Sequence, residues 1–201
     1  AVGGAAGVAA RFTSIECFPE GDSEGNLLAG TSDGAVIELD AGACRRLSRA
    51  LCVPGGDGLA AAHWETSGEG LLGAGAGGVQ GLASHVSAVT ALTPLAVLGC
   101  GRGATAAGLA SGACAVVERG AGRMRAWFKA HEGAVTRLLP YHEHYMVSAG
   151  ADRTVALWDL RMAGSRGGNS SGAKAGSSRM LVRRLGGVSS PVADCALVGG
   201  A

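Results

Sequence analysis

The sequence predicts an all-β fold assembled from repeated four-stranded units, and three observations carry that expectation. Short β-type runs alternate with turn signals along most of the chain, and no segment shows a long helical period capped at both ends. Three segments align as turn plus strand: LAGTSDGAVIELD (28–40), AAGLASGACAVVE (106–118) and VSAGADRTVALWD (147–159). The strands before them align too, as TSIECF (13–18), AVTALT (88–93), AVTRLL (134–139) and PVADCA (191–196), with anchors Ile15, Val89, Val135 and Val192 spaced by 74, 46 and 57 residues. Removing insertions of about 30 and about 18 residues leaves a period near ~40–45, the length of a four-stranded propeller blade. The expected fold is a partial β-propeller of about three blades plus the start of a fourth.

Taken in order, residues 1–10 (AVGGAAGVAA) are low in complexity and read as a linker. The propeller is expected over 11–201. Arg11–Phe18 is a mixed strand and Asn26–Thr31 an apolar one. Ser32-Asp33-Gly34 supplies a tight hairpin turn, because Asp-Gly readily adopts it. Ala35–Asp40 and Cys44–Leu51 follow as strands. Residues 54–84 are rich in Gly and Ala, hold Pro54, and read as a loop insertion with a short helix around Leu59–Trp64. Strands resume at Val86–Leu92, Ala104–Leu109, Ala113–Glu118 and Arg123–Phe128. A third set spans Ala134–Pro140, Tyr145–Ala149 and Thr154–Leu160. Residues 162–179 (MAGSRGGNSSGAKAGSSR) read as a disordered insertion of Gly and Ser. Met180–Leu185 then supplies the delayed fourth strand, and Pro191–Val198 opens another unit.

Composition excludes several classes. Of 201 residues, 47% are hydrophobic, enough for a core, and 16% are charged, too few for a solvated disordered chain. Seventeen Lys and Arg against sixteen Asp and Glu leave a net charge of +1, which is not the basic field that nucleic acid demands. The N-terminus lacks the charged region of a secretory signal, and the longest apolar run, Val89 to Cys100, is too short for a membrane helix. Cys17, Cys44, Cys52, Cys100, Cys114 and Cys195 form no C-x-x-C pair and no zinc spacing, so they read as reduced, mostly buried thiols. A start at Ala1 rather than Met suggests a fragment or a processed piece.

The third unit, AHEGAVTRLLPYHEHYMVSAGADRTVALWDLR (130–161), resembles the WD-repeat family. Trp158-Asp159 stands as the signature dipeptide, and His131-Glu132-Gly133 stands where the family has its Gly-His element. The resemblance implies a structural tetrad of His131, Ser148, Asp152 and Trp158. Physically, a half-buried Trp needs an acceptor for its N–H, and a hydroxyl, an imidazole and a turn carboxylate close such a network. The other units depart from the pattern. Leu39 and Val117 replace the Trp, and Ala29 and Ala107 replace Ser148. Asp33, Asp40, Glu118 and Asp159 keep the repeat's acids, while Ser111 stands in the second turn. More narrowly, Ala106–Gly112, Arg125-Ala126-Trp127 and Ala130-His131-Glu132-Gly133 are similar to the C-terminal propeller of BEACH-domain WD-repeat proteins, which are large membrane-trafficking scaffolds.

Competing motifs are weaker. Gly73–Gly78 fits G-x-G-x-x-G, but only Leu71-Leu72 precede it, and no acid follows before Glu118. Gly99–Gly103 lacks the Lys-Ser/Thr of a phosphate-binding loop. His142-Glu143-His144 offers two metal-type ligands without a third, and reads as a solvated loop between strands. No G-x-S-x-G elbow is present, so a Ser/His/Asp triad built on Ser148, His131 and Asp152 explains less than the tetrad does. Trp64 reads as packing the first insertion, and Trp127-Phe128 as filling the gap between blades.

The resemblance implies a non-enzymatic interaction scaffold with no cofactor and no metal, in a BEACH-type protein of endosomal or autophagic traffic. Its partners are other proteins held on loops between strands. No direct nucleic-acid contact and no transmembrane segment are expected. The location expected is cytoplasmic, peripheral on endosomal membranes, with membrane contact made through other parts of the chain or through partners. The alternative is a substrate receptor of a cullin-based ubiquitin ligase that docks through Trp158-Asp159-x-Arg161. An Arg just past a strand reaches a partner with bidentate bonds, or else it caps its own blade.

Overall fold

In the computed structural model the described residues are 11–17, 26–40, 42, 45–51, 64–66, 87–95, 103–118, 123–162 and 179–198. They form three antiparallel sheets in strict chain order. The first holds β1 (Phe12–Cys17), β2 (Asn26–Thr31), β3 (Ala35–Asp40), β4 (Arg45–Leu51) and β5 (Trp64–Thr66). The second holds β6 (Val89–Leu95), β7 (Ala104–Leu109), β8 (Ala113–Glu118) and β9 (Arg123–Lys129). The third holds β10 (Val135–Tyr141), β11 (Tyr145–Gly150), β12 (Val155–Asp159) and β13 (Leu181–Leu185). A 3-10 turn, Leu160–Met162, closes β12. The fold is all-β, and within each sheet every strand pairs with the next one in the chain.

The turns work as the sequence requires. Gly34 (φ 79°), Gly112 (φ 82°) and Arg153 (φ 68°) occupy the same left-handed position of the hairpin between the second and third strands. Glycine takes that conformation without penalty, whereas Arg153 bears the cost of its Cβ. Both strand joints repeat as well. The first strand of every sheet is bulged, between Phe12 and Ser14, Val89 and Ala91, and Val135 and Arg137. The third-to-fourth strand pairing shifts at Glu38/Leu39, Val116/Val117 and Leu157/Trp158.

This register corrects the sequence alignment in the first unit. Phe12 pairs with Thr31 as Val89 pairs with Leu109 and Val135 with Gly150, so Phe12, and not Ile15, is the equivalent of the two valines. Both positions are apolar, and only the bulge tells them apart. Three further expectations are adjusted. Within the stretch read as the first insertion, Trp64–Thr66 adds a fifth strand to the first sheet. Pro191–Val198 meets β10 through Thr136 and Arg137 and does not form a strand. Cys17 is exposed and Cys195 partly so, because β1 and the 191–198 segment lie at the two open ends of the array; Cys114 is buried. The linker at 1–10, the helix expected before Trp64, Gly73–Gly78, residues 99–102 and the body of the second insertion (163–178) lie outside the described residues.

Two apolar clusters lie between the sheets. Between the first and second, Leu28, Val36, Val89, Leu92, Leu109 and Val117 are buried together. Between the second and third, Leu138, Met146, Phe128 and Trp158 are buried with Cys114 and Val116. Strand alternation sends neighbouring side chains of β9 in opposite directions. Phe128 meets Trp158 at 4.7 Å between ring centroids, while Trp127 packs on the other cluster.

Candidate functional site

The structure brings His131, Ser148, Asp152 and Trp158 into one hydrogen-bonded chain. Ser148 lies mid-strand on β11 and Trp158 on β12, two residues beyond the direct partner of Ser148, so Trp158 Nε1–H donates to Ser148 Oγ at 2.8 Å. His131 enters from the loop before β10, and its Nε2 stands 2.8 Å from the same Oγ. Its Nδ1 lies 3.0 Å from Asp152 Oδ1 in the β11–β12 turn. An ionised carboxylate accepts only, so Nδ1 carries the proton and Nε2 accepts from the Ser148 hydroxyl.

Asp152 is satisfied on every side. The Glu132 N–H donates to Oδ2 at 2.9 Å, and the Thr154 hydroxyl and N–H donate to Oδ1 at 2.8 and 3.1 Å. Thr154 Oγ1 also lies 2.9 Å from His131 Nδ1, which makes it a fifth member that the sequence reading missed. Its signal was there: a Thr two residues after a turn Asp favours this local hydrogen bond. Gly150 makes the ring's approach possible, since a Cβ there would stand 2.5 Å from His131 Nδ1.

The electrostatics follow from burial. Desolvation lowers the His131 pKa below its ordinary value and outweighs the attraction of Asp152, so the imidazole is neutral. Asp152 is pushed up by burial, but the donors from Glu132, Thr154 and His131 outweigh this and hold it below the usual carboxylate value. Ser148 Oγ is fully buried and engaged by two partners, which leaves no nucleophile open to a substrate.

The other units carry remnants. Asp33 accepts from the Thr31 hydroxyl, which also receives the Ala35 N–H at 3.0 Å. Ser111 is held through its N–H by Ser87 Oγ at 2.8 Å. Asp40 and Glu118 close β3 and β8 in the register that Asp159 holds in β12.

At the opposite end of the third sheet lies an exposed aromatic and basic patch. The β10–β11 turn places Tyr141 and His142 edge to face at 4.2 Å, with Tyr145 beside them. His142 has φ 49°, and His144 Nε2 lies 3.7 Å from Glu143. His142 and His144 stand in this turn, the loop between strands that the sequence indicated. Arg161 folds back on the patch. Its Nε and Nη2 donate to Asp159 at 2.6–3.2 Å, Nη2 also donates to Tyr145 Oη at 3.0 Å, and the guanidinium lies 5.4 Å from the Tyr145 ring centre. Those bonds hold Asp159 below the usual carboxylate value. Burial pushes the Cys114 thiol up, as expected of an inert apolar residue. Among the described residues no cluster could hold a metal ion, and no helix is long and apolar enough to cross a membrane.

No protein-family profile matches the chain. Protein GFS12 of Arabidopsis thaliana is 42% identical over 57 residues, which is 28% of this chain and 3% of GFS12. Among solved structures, a chain of the mitotic checkpoint complex superposes with a TM-score of 0.55 at 16% identity, over 94% of this chain and 42% of its own length. Sqt1 of Saccharomyces cerevisiae gives 0.57 at 15%, over 97% and 40%. The chain thus spans about two fifths of these two propeller chains and a small part of GFS12. At such identities the structural likeness is one of fold, and the fold is part of a WD-repeat β-propeller.

Proposed function

We propose that this propeller segment is a non-enzymatic protein-interaction scaffold, part of a BEACH-type protein of endosomal or autophagic membrane traffic. The observation that carries the first half is the fate of the Ser148, His131 and Asp152 constellation. Each polar atom there is spent within the third sheet, and the hydroxyl is sealed from solvent. A network satisfied in this way stiffens a blade and presents its end turns as a rigid surface. The Tyr141–Tyr145 turn with Arg161 and Met162 is the described surface best suited to a protein partner, since Tyr, Arg and Met are enriched at such contacts. The trafficking half rests on the sequence likeness to GFS12, a BEACH-domain protein.

The ubiquitin-ligase alternative needs Arg161 to reach a partner. Its side chain is 53% exposed, yet its donors already meet Asp159 and Tyr145, and this favours a capping role. Affinity purification of the tagged native polypeptide distinguishes the readings. Under the scaffold reading, membrane-traffic proteins co-purify, no cullin adaptor does, and the protein follows endosomal membranes as a peripheral component. Co-purification of a cullin adaptor that Arg161→Ala abolishes would overturn it.

A further inference from the structure

The fourth strands of the three sheets are basic and hold no acid: β4 reads RRLSRAL, β9 RMRAWFK and β13 LVRRL. Among the described residues the outer edges of β9 and β13 are open, whereas that of β4 is covered. There β5 pairs antiparallel with β4, and its register sets Thr66 opposite Ser48, Glu65 opposite Arg49 and Trp64 opposite Ala50. Asp40 and Asp159 occupy the same place in their hairpins, so the register carries Ser48, Arg49 and Ala50 onto Arg183, Arg184 and Leu185 of β13. Both triplets follow the irregularity in the third-to-fourth strand pairing. The third sheet therefore repeats the seat that β5 fills on the first, with Arg184 in the place of Arg49.

Charge defines the occupant. Between Asp159 and Asp194 the chain holds six of its seventeen basic residues and none of its sixteen acids. Residues 163–178, which lead into β13, carry Arg166 and Lys174 and so lack the complement that Glu65 offers Arg49. A second copy of β13 paired edge to edge would bring arginine against arginine, and like charges opposed across strands repel. Neighbouring sheets stack through their faces, as at the two apolar clusters, and leave this edge bare. We propose that Arg183–Leu185 takes an extended acidic segment of a partner protein as a fifth strand, with a Glu or Asp opposite Arg184. Backbone hydrogen bonds along the edge supply affinity, and the acid opposite arginine selects the strand. Arg184 is set in place for this, because its Nη2 donates to the Ala130 carbonyl at 2.7 Å, and Arg183 beside it is exposed. Charges ordinarily guard an open edge against pairing. Here they bar neutral and basic strands and admit acidic ones. Only the choice of a protein as partner rests on the scaffold reading.

A fluorescent peptide of alternating Val and Glu, titrated with the tagged native polypeptide and read by anisotropy, tests this beside its Val-Lys counterpart. The acidic peptide is expected to bind about tenfold or more tightly than the basic one. Methylation of its backbone nitrogens, which leaves its charge unchanged, should weaken it by about tenfold or more. Amide hydrogen exchange should slow at 181–185 in the complex, and Arg183→Glu should reverse the preference between the two peptides. Equal binding of the methylated peptide overturns the proposal in favour of plain charge attraction. Binding that leaves exchange at 181–185 unchanged overturns β13 as the seat. Protection there before any peptide is added overturns it too, in favour of a second copy where it grows with concentration and of a segment of the same polypeptide where it does not. Capture by phosphatidylserine vesicles with neither peptide bound overturns it in favour of a lipid surface. If nothing binds, the strand site is lost while the scaffold reading, tested by affinity purification, stands untouched.

Discussion

Ser148 Oγ is the pivot of the third sheet's polar core. It accepts from Trp158 and donates to His131, and neither partner has another route to water. Ser148→Ala therefore strands an indole N–H and an imidazole nitrogen in the interior, at about 1–3 kcal/mol each. Trp158→Phe removes only the donor and leaves Ser148 bonded to His131, so its polar penalty is smaller and its loss is mainly one of packing. Differential scanning fluorimetry of the two variants should rank Ser148→Ala as the larger polar defect, with Ser148→Ala costing less on top of Trp158→Phe than alone, because only the imidazole nitrogen is then left to strand. A full sum of the two losses would deny the coupling. The same network sets a pH dependence. The folded state holds His131 below its ordinary 6.5, so the unfolded chain protonates first. Stability present above about pH 6.5 is lost as pH falls below it, and Asp152 adds a second loss below 3.8. Melting temperature should fall between pH 7 and 5 in the parent and much less in His131→Asn; equal slopes would remove His131 as the cause. All four tetrad residues were expected from the third unit's resemblance to the WD-repeat family, with the need of a buried Trp N–H for an acceptor as the physical reason. Thr154 was not, because a Thr opening a strand looks like ordinary β-propensity.

At the scale of the element, strands were legible and joints were not. β2, β3, β7 and β8 have the bounds that the sequence indicated, since Asp33-Gly34 and Ser111-Gly112 fix the turns between them. A bulge is a backbone event with no residue of its own, so Thr13, Thr90 and Thr136 read as ordinary strand residues, and the first anchor was placed at Ile15. The glycines were equally silent. In a chain with 36 of them, Gly30 and Gly108 looked like composition, yet each admits a valine from the next sheet. Gly108→Ala places a methyl 2.5 Å from Val135 Cγ1 and 2.7 Å from its Cβ, against a stiff buried side chain that has no room to turn away. The expected cost is about 1–3 kcal/mol of overpacking. Adding Val135→Ala should recover part of it, because the second change vacates the space the first one needs. A double variant no more stable than the sum of the singles would show that the clash is not between these two residues.

For the whole molecule, the arc is held along its inner edge by Arg137. Its Nη1 meets Glu16 of the first sheet at 3.1 Å, and its Nε lies 3.3 Å from Asp194 beyond the third. Ala91 holds the equivalent place in the sheet between and is small enough to let the guanidinium pass. Both Arg137 and Glu16 are about a third exposed, so the pair contributes roughly 0–1 kcal/mol and fixes curvature more than stability. The stability problem lies at the two ends. Phe12 and Ile15 leave one apolar face open, and Leu197 and Val198, the latter 91% exposed, leave another. Quasi-one-dimensional repeats lose cooperativity when end units lack a neighbour, and open sheet faces invite association. Residues 1–201 purified alone should therefore precipitate or unfold over a broad range, with the first sheet and the 191–198 segment failing before the central joint between the second and third sheets. Calorimetry joined to sedimentation checks this. A monomer with one sharp transition, its calorimetric and van't Hoff enthalpies equal, would mean that three sheets suffice and that the exposed ends cost little.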